Sequence, residues 1–336
     1  PVTLTPHRFF LITLGIVLLV TFGAVDLSLH QPWMGSTFDL DRHGAAPLKV
    51  IKVSEQGPAN GLLKPGDEIN GIVTTDGQVV PLDSDLLRVY PGTILTYQAY
   101  NDFIARLTHI QGIVEAGPIT LQLTDGRHVT LTTRAVRPIG SMPSWWYFRL
   151  FRTILVILLV AAPLAFHPAN SGLRYLALAG IASAGTGFAL MPLEGCELFI
   201  DGRLMHKLYL SIWATELVFS GSLLALMWNY PYRLPGHRHT WILLPVFASL
   251  WVIHALQGVS SLALMQGVPA LIFYLFGSAL QWGQWRRSAP GSAQRRTVLW
   301  FIFCIGGAVT WFMLLLIAPL LLNREPASGV QIISLS

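Results

Sequence analysis

The residues best placed to do chemistry in this chain are polar and ionisable groups set inside apolar runs. Glu216 lies within Leu208–Trp228 and His254 within Thr240–Gly258. A carboxylate in hydrocarbon is expensive, so it must face a partner, line a cavity or hold a proton. Gln257 and Gln266 fall near the ends of two neighbouring runs, Thr186 and Trp311 sit inside two more, and Trp213 and Trp251 add aromatic walls. Together, Glu216, His254, Trp213, Trp251, Gln257, Gln266, Thr186 and Trp311 describe a pocket with a few polar groups on apolar walls, which is binding chemistry. The competing reading is a set of interhelical hydrogen bonds, such as Glu216 to His254, that only holds the helices together.

Bond-making chemistry finds little support. No His-Glu-x-x-His run is present, which excludes the zinc-dependent intramembrane proteases. Ser220 or Ser222 with His254 would be a conceivable dyad, but the Gly-x-Ser-Gly setting of a rhomboid-like nucleophile is absent. Serines in membrane helices more often serve packing. Only Cys196 and Cys304 occur, too few for a disulfide framework or a thiolate metal site. No catalytic residue, metal site or cofactor is expected within these residues.

The elements that must position these groups follow from composition. Apolar residues make up 53% of 336 and charged residues 12%, with a mean hydropathy of +0.54. A soluble domain carries about 25% charged residues. Spanning ~30 Å of hydrocarbon takes about 20 apolar residues. Phe9–Leu29 meets that need without a convincing cleavage site, so it is read as an uncleaved first span. Further runs fall near Trp145–Phe166, Tyr175–Leu193, Leu208–Trp228, Thr240–Gly258, Leu262–Trp282 and Val298–Leu322, and Val330–Ser336 looks like the first turns of an eighth span. Pro163, Pro245, Pro269 and Pro319 fall near span ends.

The net charge of +5 does not point to nucleic acid, because the arginines cluster in short loops between apolar runs. With the N-terminus cytoplasmic, Arg8, Arg174, Arg233, Arg238, Arg286, Arg287, Arg295 and Arg296 fall inside. Arg149, Arg152, Arg203, Lys207 and Arg324 fall outside, diluted by Glu194, Glu197, Asp201 and Glu325. Arg149 and Arg152 oppose the positive-inside rule and are expected to snorkel outward beside Trp145, Trp146 and Tyr147.

One stretch, residues 32–138, is turn-rich and soluble in character. A strand of alternating residues from Lys49 meets Gly57-Pro58-Ala59, a turn ends at Pro65-Gly66-Asp67, and Glu68–Ile72 starts a second strand. Ile119–Leu123 and Val129–Thr133 flank an Asp125-Gly126 turn and read as a hairpin. The segment resembles a bacterial PDZ domain, with one extra residue at Leu62-Leu63 and a long connection from Thr74 to Tyr100. The resemblance implies a carboxylate loop at Met34, Gly35, Ser36 and Thr37, an exposed strand edge at Leu48–Val53 and a facing helix at Asn101–Ile113. Packing against the membrane helices, without peptide capture, is the other use of such a module.

The expected architecture is a polytopic α-helical membrane protein. Residues 1–31 form the anchor, 32–138 an inserted extracytoplasmic α+β PDZ-like domain, and 139–336 a multi-span sensor domain whose last span is cut short. This arrangement resembles the input region of ComP-type bacterial histidine kinases. The resemblance implies a homodimeric module in the bacterial inner membrane that senses an amphiphilic small molecule or a peptide, as in quorum sensing. A kinase region beyond residue 336, using ATP and magnesium, would phosphorylate a response regulator. The alternatives are a PDZ scaffold that binds protein C-termini and, as a weaker reading, an intramembrane protease. A transporter is weaker still, since no inverted repeat is visible.

Overall fold

The computed structural model describes residues 6–39, 46–87, 91, 94–167, 170–197 and 200–312. Eight α-helices carry most of the described residues: α1 (Pro6–Leu29), α2 (Tyr97–Glu115), α3 (Ser144–Phe166), α4 (Ser171–Gly195), α5 (Gly202–Asn229), α6 (Leu243–Ala255), α7 (Leu262–Arg287) and α8 (Ala293–Phe312). Among the described residues, five helices are long and apolar enough to cross a membrane: His7–Leu29, Ser144–Phe166, Ser171–Gly195, Gly202–Asn229 and Leu264–Arg287. The chain is therefore a multi-pass membrane protein. Helices are the spanning form because lipid offers backbone groups no other partner.

The run Thr240–Gly258 departs from the expected full span. Its α-helical part, α6, has 13 residues and follows a 3-10 segment at His237–Ile242. At 1.5 Å per residue that α-helix covers about 20 Å, short of the ~30 Å hydrocarbon core. It ends because Gln257 takes a left-handed φ of 52°. The expected segment Val330–Ser336 and the end of Val298–Leu322 lie outside the described residues.

Capping side chains fix where several helices begin: Thr96 accepts from the Ala99 N–H, Asn170 from the Gly172 and Leu173 N–H groups, and Ser261 from the Leu264 N–H. Small residues let α4 sit close to its neighbours. A Cβ on Gly187 would lie 2.3 Å from Thr153 Oγ1 on α3, and one on Gly185 would lie 2.7 Å from Thr215 Cγ2 on α5. Arg149 does not snorkel. It is 3% exposed, and its Nε donates to Glu194 Oε2 at 2.5 Å across the α3–α4 contact. The paired carboxylate lets the guanidinium stay in the interior, where leaving it alone would be strongly destabilising.

A six-stranded antiparallel sheet forms the second unit. Its strands are β1 (Ser36–Phe38), β2 (Leu48–Val53), β3 (Glu68–Val73), β4 (Val79–Pro81), β5 (Ile119–Leu123) and β6 (His128–Leu131), in the order β1-β2-β3-β5-β6 with β4 paired to β3. Leu48–Val53 is thus flanked on both sides, and the strand at the sheet's end is β1. The β5–β6 hairpin closes at Asp125-Gly126, with Gly126 at φ 87°. Gly35 and Gly57 touch: a Cβ on Gly35 would fall 2.5 Å from the Gly57 Cα. That contact, with Ala59 N–H donating to Met34 O and Ser54 N–H to Gly35 O, folds the Gly57-Pro58-Ala59 turn under the Met34-Gly35 backbone.

The sheet and the helices share one core. Leu48, Ile69 and Leu121 of the sheet belong to the same buried apolar cluster as Tyr209, Leu224 and Leu280 of the helices, with α2 between them. The sheet unit sits where α1 ends, α3 begins, α4 ends and α5 begins. Arg137 bonds the Gly195 carbonyl there, and a Cβ on Gly202 would come within 2.2 Å of the Ile104 carbonyl of α2.

Candidate functional site

Two sets of polar contacts join the sheet unit to the helices. The first is neutral and aromatic. Tyr97 and Tyr100, one turn apart on α2, meet α6 and α5. The Tyr97 hydroxyl lies 2.6 Å from His254 Nδ1, and the Tyr100 hydroxyl 2.7 Å from His206 Nδ1. His254 is 2% exposed and stacks on Trp213, with ring centroids 4.4 Å apart. Trp213 Nε1 and Gln266 Nε2 both donate to the Tyr209 hydroxyl, at 3.2 and 2.7 Å. The Tyr209 ring stands edge-on to His254. Beside this cluster, Asn101 and Gln257 exchange two amide hydrogen bonds of 2.9 and 3.0 Å. Burial pushes the Tyr97 phenol up to about 12, so it keeps its proton near neutrality.

This seam takes up part of the residue set expected from sequence. His254, Trp213 and Gln266 come together around the Tyr209 hydroxyl, and Gln257 anchors to Asn101. Glu216 follows Trp213 by three residues on α5, hence one turn further along the same side of the helix, and is half-buried. It does not bond His254: Nδ1 faces Tyr97, and Nε2 is buried with no hydrogen-bond partner among the described residues. Thr186 pairs with the Thr215 hydroxyl at 2.8 Å, between α4 and α5. Trp251 donates its indole N–H to the Leu210 carbonyl. It also lines a separate apolar cleft of about 460 Å³ between α4, α5 and α6, whose lining includes Leu217, Phe247, Trp241 and, as a charged group, Arg238. Trp311 lies on α8, and its side chain is outside the described set. Ser222 bonds the Val218 carbonyl of its own helix, so the structure does not join it to His254.

Sequence reasoning passed over Tyr97, Tyr100, His206 and Tyr209. A signal for half of them was present: His206, Tyr209 and Trp213 recur three and four residues apart and so share one face of α5. Nothing in the sequence pairs that face with the start of α2.

The second junction is charged. Glu197, in the α4–α5 connection, reaches the turn before β1. The Gly35 and Ser36 N–H groups donate to its Oε2 at 3.2 and 3.4 Å, and the Met34 N–H also interacts with the carboxylate. Gly35 makes this cradle by taking a φ of 84°, which turns consecutive N–H groups toward one point. Met34 and Ser36 are fully buried, whereas Thr37 is exposed. Burial pushes the Glu197 carboxyl up to about 7, against the charge of Arg137 and the three N–H groups, which hold it down. Arg137 is itself anchored, donating Nε to Ser141 Oγ at 2.9 Å and Nη2 to the Ser141 carbonyl at 2.6 Å. A polar cavity of about 520 Å³ opens beside the carboxylate, lined by Thr37, Lys52, Glu55 and Ser141 among others.

Cys196, the residue before Glu197, donates to the Leu193 carbonyl at 3.1 Å, and burial pushes its thiol up to about 12. That makes it a poor nucleophile. Among the described residues no group of three or more His, Cys, Asp or Glu is arranged to hold a metal. Comparisons with protein-family models, with curated proteins and with solved structures gave no match.

Proposed function

We propose that this chain is the input module of a membrane receptor, in which the sheet unit is an extracytoplasmic PDZ-like domain and the helices carry its state across the bacterial inner membrane to a histidine kinase. The observation that supports this reading is the seam at α2, where tyrosines of the sheet unit bond directly to histidines of the bundle. A movement of the sheet unit relative to the bundle must break or remake those contacts, so each side senses the other. A ligand acts only through its different affinity for the two arrangements. The apolar cleft beside Trp251, with Arg238 in its lining, suits the tail of an anionic amphiphile, which keeps an amphiphilic signal in the reading. A homodimer and a phosphorylated response regulator belong to the same proposal.

The test is phosphate transfer from ATP by the full-length protein in proteoliposomes, comparing native protein with Tyr97→Phe. Removing the Tyr97 hydroxyl leaves His254 short of a partner, at a cost of about 1–3 kcal/mol. The phosphorylation rate should change at least several-fold with membrane insertion unaltered. Absence of phosphate transfer removes the kinase reading, and an unchanged rate removes the relay. A scaffold that binds protein C-termini is the second reading, favoured by the backbone cradle at Met34–Ser36, which already holds a carboxylate. It requires no phosphate transfer and no response to Tyr97→Phe.

A further inference from the structure

We propose that Glu197 is an internal ligand: its side-chain carboxylate occupies the backbone cradle of Met34, Gly35 and Ser36 and must leave before a carboxylate from another chain can enter. Release of the α4–α5 connection and capture of an outside ligand would then be one event. The inference goes beyond the receptor reading and stands on the Glu197 contacts whether or not a kinase follows.

Four observations carry it. The contact is long-range in sequence, joining residues 35 and 197, so chain proximity does not force it. The acceptor is a side chain on a short connection, and the donors are main-chain N–H groups held by a left-handed glycine. Such donors recognise a carboxylate by geometry and would accept any that arrives in the same place. The cradle leads straight into β1, which among the described residues pairs with β2 alone and so ends the sheet, leaving a strand edge along which an arriving chain could run. Finally, the space for a competitor is already present in the cavity beside Glu197, where Lys52 and Arg137 supply positive charge against the one further carboxylate in the lining, Glu55. The competing chemistry is therefore a free peptide carboxylate.

A latch of this kind is dischargeable in a way the α2 seam is not. The half-buried carboxyl is held by two opposed effects, the N–H groups and Arg137 that favour its charge and the burial that disfavours it. Moving it into water relieves its burial cost, while an outside carboxylate pays its own on entering the same cradle, so the exchange costs far less than opening an empty site would.

The experiment uses the full chain in lipid nanodiscs and two readouts. Hydrogen–deuterium exchange is followed in the segment 33–38, with the hairpin 119–131 as control. Binding of N-acetyl-pentaalanine with a free carboxyl group is compared with binding of its carboxamide. In Glu197→Ala, exchange in 33–38 measured near pH 5 should rise about tenfold, as expected when the hydrogen bonds to the Gly35 and Ser36 N–H groups are lost. The hairpin should be unchanged, and the free acid should bind at least tenfold better than to the native chain while the amide shows no gain. Glu197→Asp keeps the charge and withdraws it by one methylene, so it should reproduce the exchange result. Unchanged exchange in 33–38 overturns the latch. Raised exchange without a gain for the free acid, including no binding to either chain, overturns the competition. Loosening of the hairpin in both variants would show a general role in folding and also overturn the proposal.

Discussion

The two junctions between the sheet unit and the helices solve the same problem with opposite chemistry. At α2 the partners are neutral rings and hydroxyls, packed so that His254 is 2% exposed and stacked on Trp213. At the cradle a carboxylate from a loop faces three backbone N–H groups beside an open cavity. Burying neutral, hydrogen-bonded groups costs little once they are paired, and dense packing makes any gap expensive. Burying a charge costs more and gains less, so its net contribution is small and sensitive to conditions. The difference assigns the seam to holding the two units together and the cradle to letting part of that junction go.

The sharpest way to break this comparison is to empty the seam. His254→Ala removes a buried ring that contacts Tyr97, Tyr209 and Trp213. Large-to-small changes of this kind cost about 3–5 kcal/mol. The orphaned Tyr97 hydroxyl adds to that cost. Thermal unfolding in detergent should show a large loss of stability, greater than for Glu197→Ala measured alongside. Equal losses at the two junctions would remove the distinction between clamp and latch.

A smaller effect should come from pH at the cradle. Glu197 is pushed up to about 7 from an ordinary 4.5, with burial outweighing Arg137 and the N–H groups. The docked carboxyl therefore binds a proton more tightly than the released one. Docking is at full strength below about pH 4.5, weakens as pH rises toward 7, and stays weak above it. A single proton limits the change to about tenfold per pH unit. The groups facing Glu197 are Arg137 and the Cys196 thiol, with Lys52 and Glu55 lining the cavity. The thiol, pushed up to about 12, does not titrate across this window. Exchange in 33–38, corrected for intrinsic rate, should rise between pH 5 and 8 while exchange in the hairpin 119–131 stays level. A rise in both, or a fall at the cradle, contradicts the assignment.

Much of this organisation was legible in the residues, and what was not has a common cause. Apolar runs marked the spanning helices, because lipid demands length and hydrophobicity from a single segment. The Asp125-Gly126 turn marked the hairpin, because few residues accept its left-handed conformation. The Gly57-Pro58-Ala59 turn was visible, but its contact with Gly35 was not. Pairings across long separations were the blind spot: Arg149 with Glu194, Tyr97 with His254, and Gly35 with Glu197. Local propensity says nothing about which loop a buried charge will meet. Arg149 looked like a snorkelling residue because, read alone, an arginine beside aromatic residues at a helix start has no other way to reach water. In the candidate site the inward-facing polar residues were identifiable as a class, while the partners that occupy them came from α2.

The smallest expected effect lies where the seam meets solvent. Gln257 combines a left-handed φ of 52° with a reciprocal amide pair to Asn101, so one residue carries both a backbone cost and a side-chain gain. Glycine takes that φ without strain, whereas alanine keeps a Cβ and loses the amide. Gln257→Gly should therefore lose the hydrogen bonds but recover about 1 kcal/mol of backbone strain, leaving stability within about 0.5 kcal/mol of the native chain. Gln257→Ala should lose the bonds and recover nothing, at a cost of about 1 kcal/mol. Unfolding midpoints of the two variants decide it. If glycine and alanine fall equally, the amide pair dominates, and the seam extends to its edge as a firm clamp. If glycine matches the native chain, the seam's strength resides in the buried rings, and Asn101–Gln257 serves to aim α2 at them.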